Sequence, residues 1–228
     1  MIGIVVAMSS EFRLVETLLS EKEEIVVGHL RFVRGRMEQR EIVLLQSGIG
    51  KVCAAVGTVE MIRRFKPDCI LNTGVAGGID TALQVMDVVV AQEVCYHDVW
   101  CGEGNEKGQV QGMPARYVCD KVLYEAAFSV QGDVRLQGGL ICSGDQFITD
   151  VKGLERIKSV FPEALAVDME SGAIAQVCHL YGVPFLSCRV ISDTPGFVED
   201  HALQYQNFWT VAPQKSFEIL KQIIQRIA

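Results

Sequence analysis

The sequence predicts a single α/β domain over residues 1–228, built around a central mixed, largely parallel β-sheet flanked by helices. Short apolar runs rich in Ile and Val alternate along the chain with amphipathic segments of helical periodicity. Such alternation is typical of parallel strands that helices cover on both faces. No linker, internal repeat or low-complexity segment divides the chain, and 49% of its 228 residues are hydrophobic. A chain of this length and composition can bury a sizeable core.

The individual elements follow from the period of the apolar residues. Apolar or alternating runs predict strands over residues 2–7, 24–36, 39–47, 69–73, 87–91, 138–143 and 184–193. Helical spacing predicts helices over residues 11–20, 51–65, 119–130, 154–161 and 205–227, the last interrupted near Pro213. The stretch 164–177 begins as an apolar run and ends as an amphipathic helix. Residues 97–115 have little periodicity, which predicts a long loop.

Local sequence signals also predict a hairpin turn and a helix cap in the first part of the chain. Glu38-Gln39-Arg40 is typical of a hairpin turn. Ser9 or Ser10 is expected to cap the helix 11–20, with Glu11 in its first turn. A carboxylate at that position interacts favourably with the helix dipole, and from the local sequence alone we interpret Glu11 in this way.

Two glycine-rich segments follow predicted strands. Ser47-Gly48-Ile49-Gly50-Lys51 resembles a phosphate-binding loop, but it lacks the upstream glycine and the Ser or Thr after the lysine. We therefore interpret it as a tight turn into the next helix. Gly74-Val75-Ala76-Gly77-Gly78 is expected to form a turn whose glycines let the backbone approach a ligand and present N–H groups. Two such turns at strand ends favour a ligand crevice at this edge of the sheet.

Charged residues occur at two later strand ends. Asp168 and Glu170 bracket Met169 where an apolar run becomes a helix. From that stretch alone these carboxylates fit a helix cap and a ligand for ribose hydroxyls equally well. Arg189 lies inside an apolar run that ends at Asp193. Because a buried, unpaired charge is costly, Arg189 must have a partner.

Composition excludes several classes of protein. The formal net charge is −7 and no run of Lys or Arg exceeds two residues, so the basic footprint of a nucleic-acid-binding protein is absent. The N-terminus lacks the features of a signal peptide and no apolar run is long enough for a membrane span, so we expect a cytoplasmic protein. Cys95, His97 and Cys101 lie close together without a C-x-x-C pair, and we expect structural side chains there rather than a metal site.

Seven motifs occur in order over nearly the whole chain. They are Glu11 after the first strand, Ser47-Gly48-Ile49-Gly50-Lys51, Asn72-Thr73-Gly74-Val75-Ala76-Gly77-Gly78, Tyr96-His97-Asp98, Ser143-Gly144-Asp145-x-Phe147-Ile148, Val167-Asp168-Met169-Glu170 and Arg189-x-x-Ser192-Asp193. Together they resemble the 5′-methylthioadenosine/S-adenosylhomocysteine nucleosidase family of the nucleoside phosphorylase superfamily. The resemblance implies a three-layer αβα fold. It also implies hydrolysis, without a cofactor, of the N-glycosidic bond between adenine and a 5′-thio-substituted ribose.

The resemblance implies catalytic roles for Asp193 and Glu11 and substrate-binding roles for Glu170 and Arg189. Asp193 matches the general acid that protonates N7 of the leaving adenine, and Glu11 matches the residue that activates the water. Glu170 matches the carboxylate that grips the ribose hydroxyls, and Arg189 matches the arginine that helps to place the water and the carboxylates. These roles suit an oxocarbenium-like transition state, which needs negative charge near the sugar, an acid on the base and a water opposite it.

Further positions match substrate contacts of the family. Met169 matches the side chain under the sugar, Phe147 the ring that packs on adenine, and Ile148 the residue whose backbone bonds to adenine. The remaining predicted substrate-binding residues belong to the second glycine-rich segment: Val75, Ala76 and Gly77. The family is typically a homodimer in which the partner subunit closes the 5′ pocket.

The chain departs from the family in two places. Val75 stands where many members have a serine that contacts the water, and loss of that hydrogen bond is worth about 1 kcal/mol. Residues 99–112 are shorter and more polar than the stretch that commonly supplies the 5′-alkylthio pocket. Trp100 is one candidate for the wall of that pocket, and Tyr205 or Phe208 of the last helix is another.

Three other functions remain open from the sequence. A purine nucleoside phosphorylase would use phosphate in place of water, but the segment 74–78 has no cation and Glu11 would repel an anion. A hydrolase of a futalosine-type nucleoside would need the same ribose and purine machinery. A protein that binds nucleosides without turnover does not require three carboxylates in one pocket, which argues against that function.

Overall fold

The structure is a computed structural model that describes residues 1–130, 134–194, 208 and 213–227, without the side chains of 213–219. The strands and helices, in chain order, are β1 (Ile2–Val6), α1 (Ser9–Thr17), β2 (Ser20–Val27), β3 (Leu30–Met37), β4 (Arg40–Gln46), α2 (Lys51–Phe65), β5 (Cys69–Gly78), β6 (Val88–Tyr96), β7 (Tyr117–Val118), α3 (Lys121–Phe128), β8 (Leu136–Ser143), α4 (Val151–Val160), β9 (Ala164–Asp168), α5 (Ser171–Tyr181), β10 (Phe185–Asp193) and α6 (Pro213–Arg226).

The described strands form one mixed sheet of ten strands, which confirms the predicted α/β class. β1 lies between β4 and β5 and is parallel to both. β4, β3 and β2 continue outwards as an antiparallel meander. On the other side the sheet closes into a ring in which β5, β10, β6, β8 and β9 each pair with the next, and β9 returns to β5. The sequence did not predict this closure, because period-2 patterns do not show which distant strands pair.

The closure depends on the length of β5. Its first residues pair with β1, and its last residues pair with β9, while β10 runs along the other edge. Gly77 therefore lies opposite Asp193 on β10 and opposite Val167 on β9. This arrangement brings the carboxyl-terminal residues of three strands to one place.

The predicted turn over residues 74–78 is wrong, because the segment continues β5 as far as Gly78. Close packing explains why glycines occur in the strand. A Cβ at Gly78 would lie 2.9 Å from Cγ2 of Ile191 on the neighbouring strand. The glycines do allow a close approach, as the sequence suggests, but the approach is by the protein's own side chains.

The predicted strand over residues 24–36 is also wrong, because it is two strands joined at Gly28. Val27 lies opposite Leu30 across this two-residue connection. Gly28 has a φ of +58°, in the left-handed region that glycine adopts at little cost. The second turn, at Glu38, occurs where the sequence predicts it, since β3 ends at Met37.

Helices cover the sheet and bury most of its strands, although β2 at the outer edge is largely exposed. β1 and β10 are buried along their whole length, as continuous apolar runs indicate. α2 is confirmed over its predicted range, and α6 begins at Pro213, a residue that suits the first position of a helix. Of the rest of the predicted helix 205–227, residues 205–207 and 209–212 lie outside the described part. No helix among the described residues is both long and apolar enough to cross a membrane.

Candidate active site

A cavity of about 650 Å³ opens at the carboxyl ends of β1, β5, β9 and β10. That volume includes the open solvent at the mouth of the cavity. The structure places all the predicted site residues around it: Glu11, Val75, Ala76, Gly77, Phe147, Ile148, Met169, Glu170, Arg189 and Asp193. The cavity is also lined by residues outside the predicted site: Ala7, Met8, Ile49, Gln146, Val167, Asp168 and Ser192.

Glu11 reaches the cavity from the first turn of α1 and is 1% exposed. Its Oε2 accepts hydrogen bonds from the N–H groups of Ala7 (3.0 Å) and Met8 (2.9 Å), and its Oε1 accepts one from the N–H of Val75 (3.1 Å). Burial raises the pKa of Glu11, while Arg189 and the three N–H donors oppose that rise. Glu11 thus lines the cavity and also holds the start of its own helix.

The predicted cap of α1 by Ser9 or Ser10 is wrong, because α1 begins at Ser9 and Met8 is its N-cap residue. The N–H of Met8 bonds to Glu11 three residues later, in the manner of a capping box. A carboxylate that leans back over the helix N-terminus takes the place that a serine hydroxyl usually occupies. The sequence interpretation of Glu11 as a helix-dipole carboxylate is therefore correct but incomplete.

Gly74 faces Glu11 across the base of the cavity. With a φ of +147°, it has no room for a side chain, since a Cβ would lie 2.8 Å from Nη1 of Arg189 and even closer to Oε1 of Glu11. The absence of a side chain at this position lets the carboxylate and the guanidinium approach each other.

Arg189 has the partners that its burial requires. Its side chain is 1% exposed, and Nη2 lies 2.6 Å from Oδ2 of Asp168 and 3.4 Å from Oε2 of Glu170. Nη2 also donates to Oδ1 of Asn72 at 2.7 Å. Burial alone would lower the pKa of Arg189, but the carboxylates of Asp168, Glu170 and Glu11 raise it, so the guanidinium stays charged.

Asp168 bonds to the start of a helix, which is one of the two interpretations that the sequence left open, and it also pairs with Arg189, which the sequence did not predict. It accepts a hydrogen bond from the N–H of Ser171 at the start of α5, and it pairs with Arg189. The Ser171 hydroxyl bonds to Asp168, and it lies 2.9 Å from Oδ1 of Asn72 and 2.8 Å from the Ser187 hydroxyl. Asn72 and Ser187 are polar residues inside apolar strands, the same sequence signal that indicated a buried partner for Arg189.

Glu170 accepts a hydrogen bond from the N–H of Gly50 at 3.0 Å. Burial raises the pKa of Glu170 to about 7; Asp168 adds to that rise, whereas Arg189 and Gly50 oppose it. The carboxylate is 5% exposed and lines the cavity next to Met169. It has the donors needed to hold a negative charge.

Asp193 lies at the end of β10 and is 2% exposed. The register of β10 on β5 shifts between Ile191 and Asp193, so Ser192 is an extra residue on β10. Such a bulge interrupts the alternation of side chains, and both Ser192 and Asp193 line the cavity. The Ser192 hydroxyl donates to Oδ1 of Asp193 at 2.6 Å, which fixes one oxygen of the carboxyl group.

The N–H groups of Gly50 and Lys51 are not available to a phosphate. Gly50 donates to Glu170, and Lys51 donates to Oδ1 of Asp145 at 2.8 Å. Protein carboxylates therefore occupy the N-terminus of α2, where a phosphate-binding loop would hold an anion. The sequence interpretation of this segment as a turn into a helix is confirmed.

Acidic side chains outnumber basic ones in the described lining of the cavity. Arg189 is its one cation, beside the carboxylates of Glu11, Asp168, Glu170 and Asp193. An excess of buried negative charge stabilises a ligand or transition state that carries positive charge and disfavours an anionic ligand.

Trp100 and Phe208, two of the candidates for the wall of the 5′ pocket, do not line the cavity. Trp100 is 56% exposed, with Nζ of Lys107 at 3.6 Å over its ring, and it does not line the cavity of its own chain. Phe208 is buried, and Tyr205 lies outside the described residues. In the described part of the chain no three His, Cys, Asp or Glu side chains form a metal-binding group, and Cys95 packs against Cys142 instead.

Comparison with known proteins agrees with this geometry. The sequence model of the phosphorylase superfamily matches residues 1–225. A 5′-methylthioadenosine/S-adenosylhomocysteine nucleosidase of Geobacillus thermodenitrificans is 42% identical over 97% of this chain and 95% of that protein. The crystal structure of the nucleosidase from Neisseria meningitidis in complex with methylthio-immucillin-A has a TM-score of 0.92 and 36% identity, covering 98% of each chain. The enzyme from Colwellia psychrerythraea in complex with adenine has a TM-score of 0.93 and 33% identity, covering 99% of this chain and 95% of that one.

Proposed function

Because the chain belongs to the phosphorylase superfamily, and within it to the 5′-methylthioadenosine/S-adenosylhomocysteine nucleosidases, we propose that it hydrolyses the N-glycosidic bond of 5′-thio-substituted adenine nucleosides. The products are adenine and the 5′-thio-substituted ribose. The observation that carries the proposal is the convergence of Glu11, Glu170 and Asp193 on one cavity that holds a single described cation.

The proposed reaction assigns a proton transfer to each of two carboxyl groups, Asp193 and Glu11. Water attacks C1′ of the ribose while the bond from C1′ to N9 of adenine breaks. Asp193 gives its proton to N7 of the leaving base, and Glu11 takes a proton from the attacking water. The raised pKa of Glu11 suits a general base that works near neutral pH. Negative charge around the sugar stabilises the oxocarbenium-like transition state.

The remaining lining residues position the substrate in this proposal. Glu170 accepts hydrogen bonds from the ribose hydroxyls, and Met169 lies against the sugar. Phe147 is 58% exposed at the cavity, where an adenine ring would cover it. Ile148 supplies backbone hydrogen bonds to the base. Arg189, which already pairs with Asp168, keeps the carboxylates in place and helps to position the water.

In this proposal β5 contributes one part of the cavity wall, formed by Val75, Ala76 and Gly77. The N–H of Val75 is already bonded to Glu11, so the backbone of β5 orients the general base. The valine side chain gives the water no hydrogen-bond partner at this position. We infer that Glu11 and Arg189 hold the water without help from residue 75.

The anionic cavity also separates hydrolysis from phosphorolysis. A phosphorylase needs cationic or N–H donors for phosphate, whereas the N–H groups of Gly50 and Lys51 are bonded to carboxylates. A futalosine-type nucleoside would use the same ribose and purine contacts and differs only at the base and at the 5′ group. Substrate tests therefore have to separate these activities.

The test is incubation of the protein with 5′-methylthioadenosine, S-adenosylhomocysteine, adenosine, inosine and a futalosine-type nucleoside, each with and without phosphate. Phosphate-independent release of adenine from the two thio-nucleosides is expected. Release that requires phosphate would establish a phosphorylase. Release of base only from the futalosine-type nucleoside would move the enzyme to that substrate, and binding without release would establish a nucleoside-binding protein.

We also propose that the enzyme is a homodimer of cytoplasmic subunits. Val52 and Val56 are 74% and 56% exposed and lie one turn apart on α2, and Ile49, just before α2, is 55% exposed and lines the cavity. Such a group of exposed apolar side chains favours contact with another protein surface, here a second copy that completes the 5′ pocket. Light scattering should give twice the chain mass, and a Val52→Glu variant should give the mass of one chain.

A further inference from the structure

Three sequence motifs to which the proposed reaction assigns no chemistry meet at one corner of the molecule. They are the segment 47–51, the segment 96–98 at the end of β6, and the segment 143–145 at the end of β8. Oδ2 of Asp98 accepts a hydrogen bond from the N–H of Asp145 at 2.9 Å and forms an ion pair with Nζ of Lys51 at 2.8 Å. One carboxylate oxygen thus connects all three segments.

Lys51 and Asp145 are also joined directly. Oδ1 of Asp145 accepts the N–H of Lys51 at 2.8 Å, so Asp98, Lys51 and Asp145 form a closed triangle of contacts. Gly50 packs against the same group, since a Cβ on it would lie 2.9 Å from Oδ1 of Asp145. A side chain at position 50 would therefore push against Asp145 and disturb the triangle.

Two corners of this triangle, Lys51 and Asp145, adjoin residues that contact or form the lining of the cavity. Gly50, next to Lys51, donates its N–H to Glu170, the residue assigned to the ribose. Asp145 precedes Gln146, Phe147 and Ile148, which line the cavity on the side assigned to the base. The triangle is therefore the connection between the two halves of the proposed nucleoside site.

We propose that Asp98 is a positioning residue which, through Lys51 and Asp145, fixes the base subsite relative to the ribose carboxylate Glu170. The inference rests on the proposed function for the identity of the ligand. It deepens that function by naming residues that touch no substrate but set the geometry in which the substrate lies.

The burial of Asp98, and the loss of stability that its unpaired oxygen causes, support a functional role for this residue. Its side chain is 13% exposed and that of Lys51 is 25% exposed, so the pair is largely shielded from screening by salt. Oδ1 of Asp98 is buried and has no hydrogen-bond partner among the described residues. A buried acceptor without a partner lowers stability. Because the Asp98 carboxylate lowers stability in this way, we attribute its presence to the positioning of Lys51 and Asp145.

A double-mutant cycle tests the inference, using Asp98→Asn, Lys51→Met and the double variant. Lys51→Arg retains the cation and serves as the conservative variant. Lys121→Met is the matched control, because Lys121 forms an exposed ion pair with Glu125 on α3. Because misplaced groups cost up to about 100-fold in rate, each single variant should lower kcat/KM for 5′-methylthioadenosine by about 10- to 100-fold. Lys51→Arg should lie between Lys51→Met and the parental protein.

The energetic coupling between the substitutions at Asp98 and Lys51 decides the outcome. If the pair acts as a unit, the double variant loses no more kcat/KM than the worse single variant. Losses that multiply in the double variant, or single variants with parental kcat/KM, would overturn the inference. The dissociation constants of two ligands provide a second measurement, and a purely structural role of Asp98 would not change one of them more than the other. The dissociation constant of the nucleoside, which spans both subsites, should rise more than that of adenine alone, and equal changes would contradict the proposal.

The same binding cycle keeps the two proposals separate. If the parental protein releases no adenine, the proposed function fails, but the coupling in nucleoside binding still decides whether Asp98 positions the site. If the parental protein is active and the coupling is absent, only the positioning inference fails.

Discussion

Arg189 and Asp168 form an ion pair that is almost completely buried, with Nη2 and Oδ2 2.6 Å apart and each side chain 1% exposed. The pair joins β10 to the end of β9 directly beneath the cavity. Asn72 on β5 bonds to the same nitrogen of Arg189. Three strands that end at the site are thereby held through one guanidinium.

Replacing Asp168 by Asn should destabilise the protein strongly. The variant keeps the shape of the side chain but removes the charge that balances Arg189. Loss of one partner of a buried ion pair costs about 3–5 kcal/mol. Urea denaturation should show a decrease of this size in the free energy of unfolding. Asp68→Asn is the control, since it also removes an ion pair, with the N-terminal amine, but Asp68 is 82% exposed. Equal losses in the two variants would contradict the structural role of the buried pair.

The activity of the parental enzyme should fall as pH decreases below about 7. Burial raises the pKa of Glu170 to about 7, so protonation of the ribose carboxylate begins near neutral pH. The pKa of Glu11 is raised in the same direction by burial. The pH profile of kcat/KM reports these groups in the free enzyme. An activity that stays constant, or increases, as pH falls below neutral would contradict the assigned roles.

The same pKa gives stability a definite pH dependence. The ordinary value for a glutamate is 4.5, so between about pH 4.5 and 7 the native state binds more protons at Glu170 than the unfolded chain does. The free energy of unfolding contributed by this group therefore decreases as pH rises through that window. Thermal denaturation of parental protein and Glu170→Gln at several pH values should show a smaller decrease in the variant. An identical slope in both would exclude a raised pKa.

Gly74→Ala should abolish most of the activity. The new Cβ would collide with the Glu11 carboxylate and with Nη1 of Arg189, so both groups must move. Gly112→Ala is a matched control, because Gly112 also has a positive φ, +81°, but a Cβ there would meet nothing within 4 Å. The control should lose only about 1–3 kcal/mol of stability through backbone strain, with unchanged kcat. Parental kcat in Gly74→Ala would contradict the close approach of Glu11 and Arg189.

The sequence predicted features that depend on neighbouring residues. Period and apolar runs gave the α/β class, the helix 51–65 and the buried strand that carries Arg189. The need of Arg189 for a partner also followed from elementary electrostatics. The identity of those partners did not follow, because Asp168 and Asn72 come from other strands and only the sheet topology brings them together.

The errors have different physical origins. Glycines at 74–78 predict a turn, but neighbouring strands hold them extended within the ring of the sheet. There, packing between distant strands outweighed a local preference. Serines at 9 and 10 predict a helix cap, but the Glu11 carboxyl group accepts the backbone donors of Ala7 and Met8, four and three residues away. That error is local, because one side chain took the place expected of another. The triangle of Asp98, Lys51 and Asp145 was not predicted because its three segments are distant in the sequence.

The most direct test of the proposed mechanism compares adenine release from 5′-methylthioadenosine, without phosphate, by the parental protein and by Asp193→Asn. The parental protein should release adenine. Asp193→Asn should bind the nucleoside with a dissociation constant close to the parental value, yet lose at least about 100-fold in kcat, since an amide cannot protonate N7. Asp150→Asn, at the exposed cap of α4, should keep the parental kcat. Parental turnover by Asp193→Asn, independent of pH between about 5 and 9, would contradict the assignment of Asp193 as the general acid.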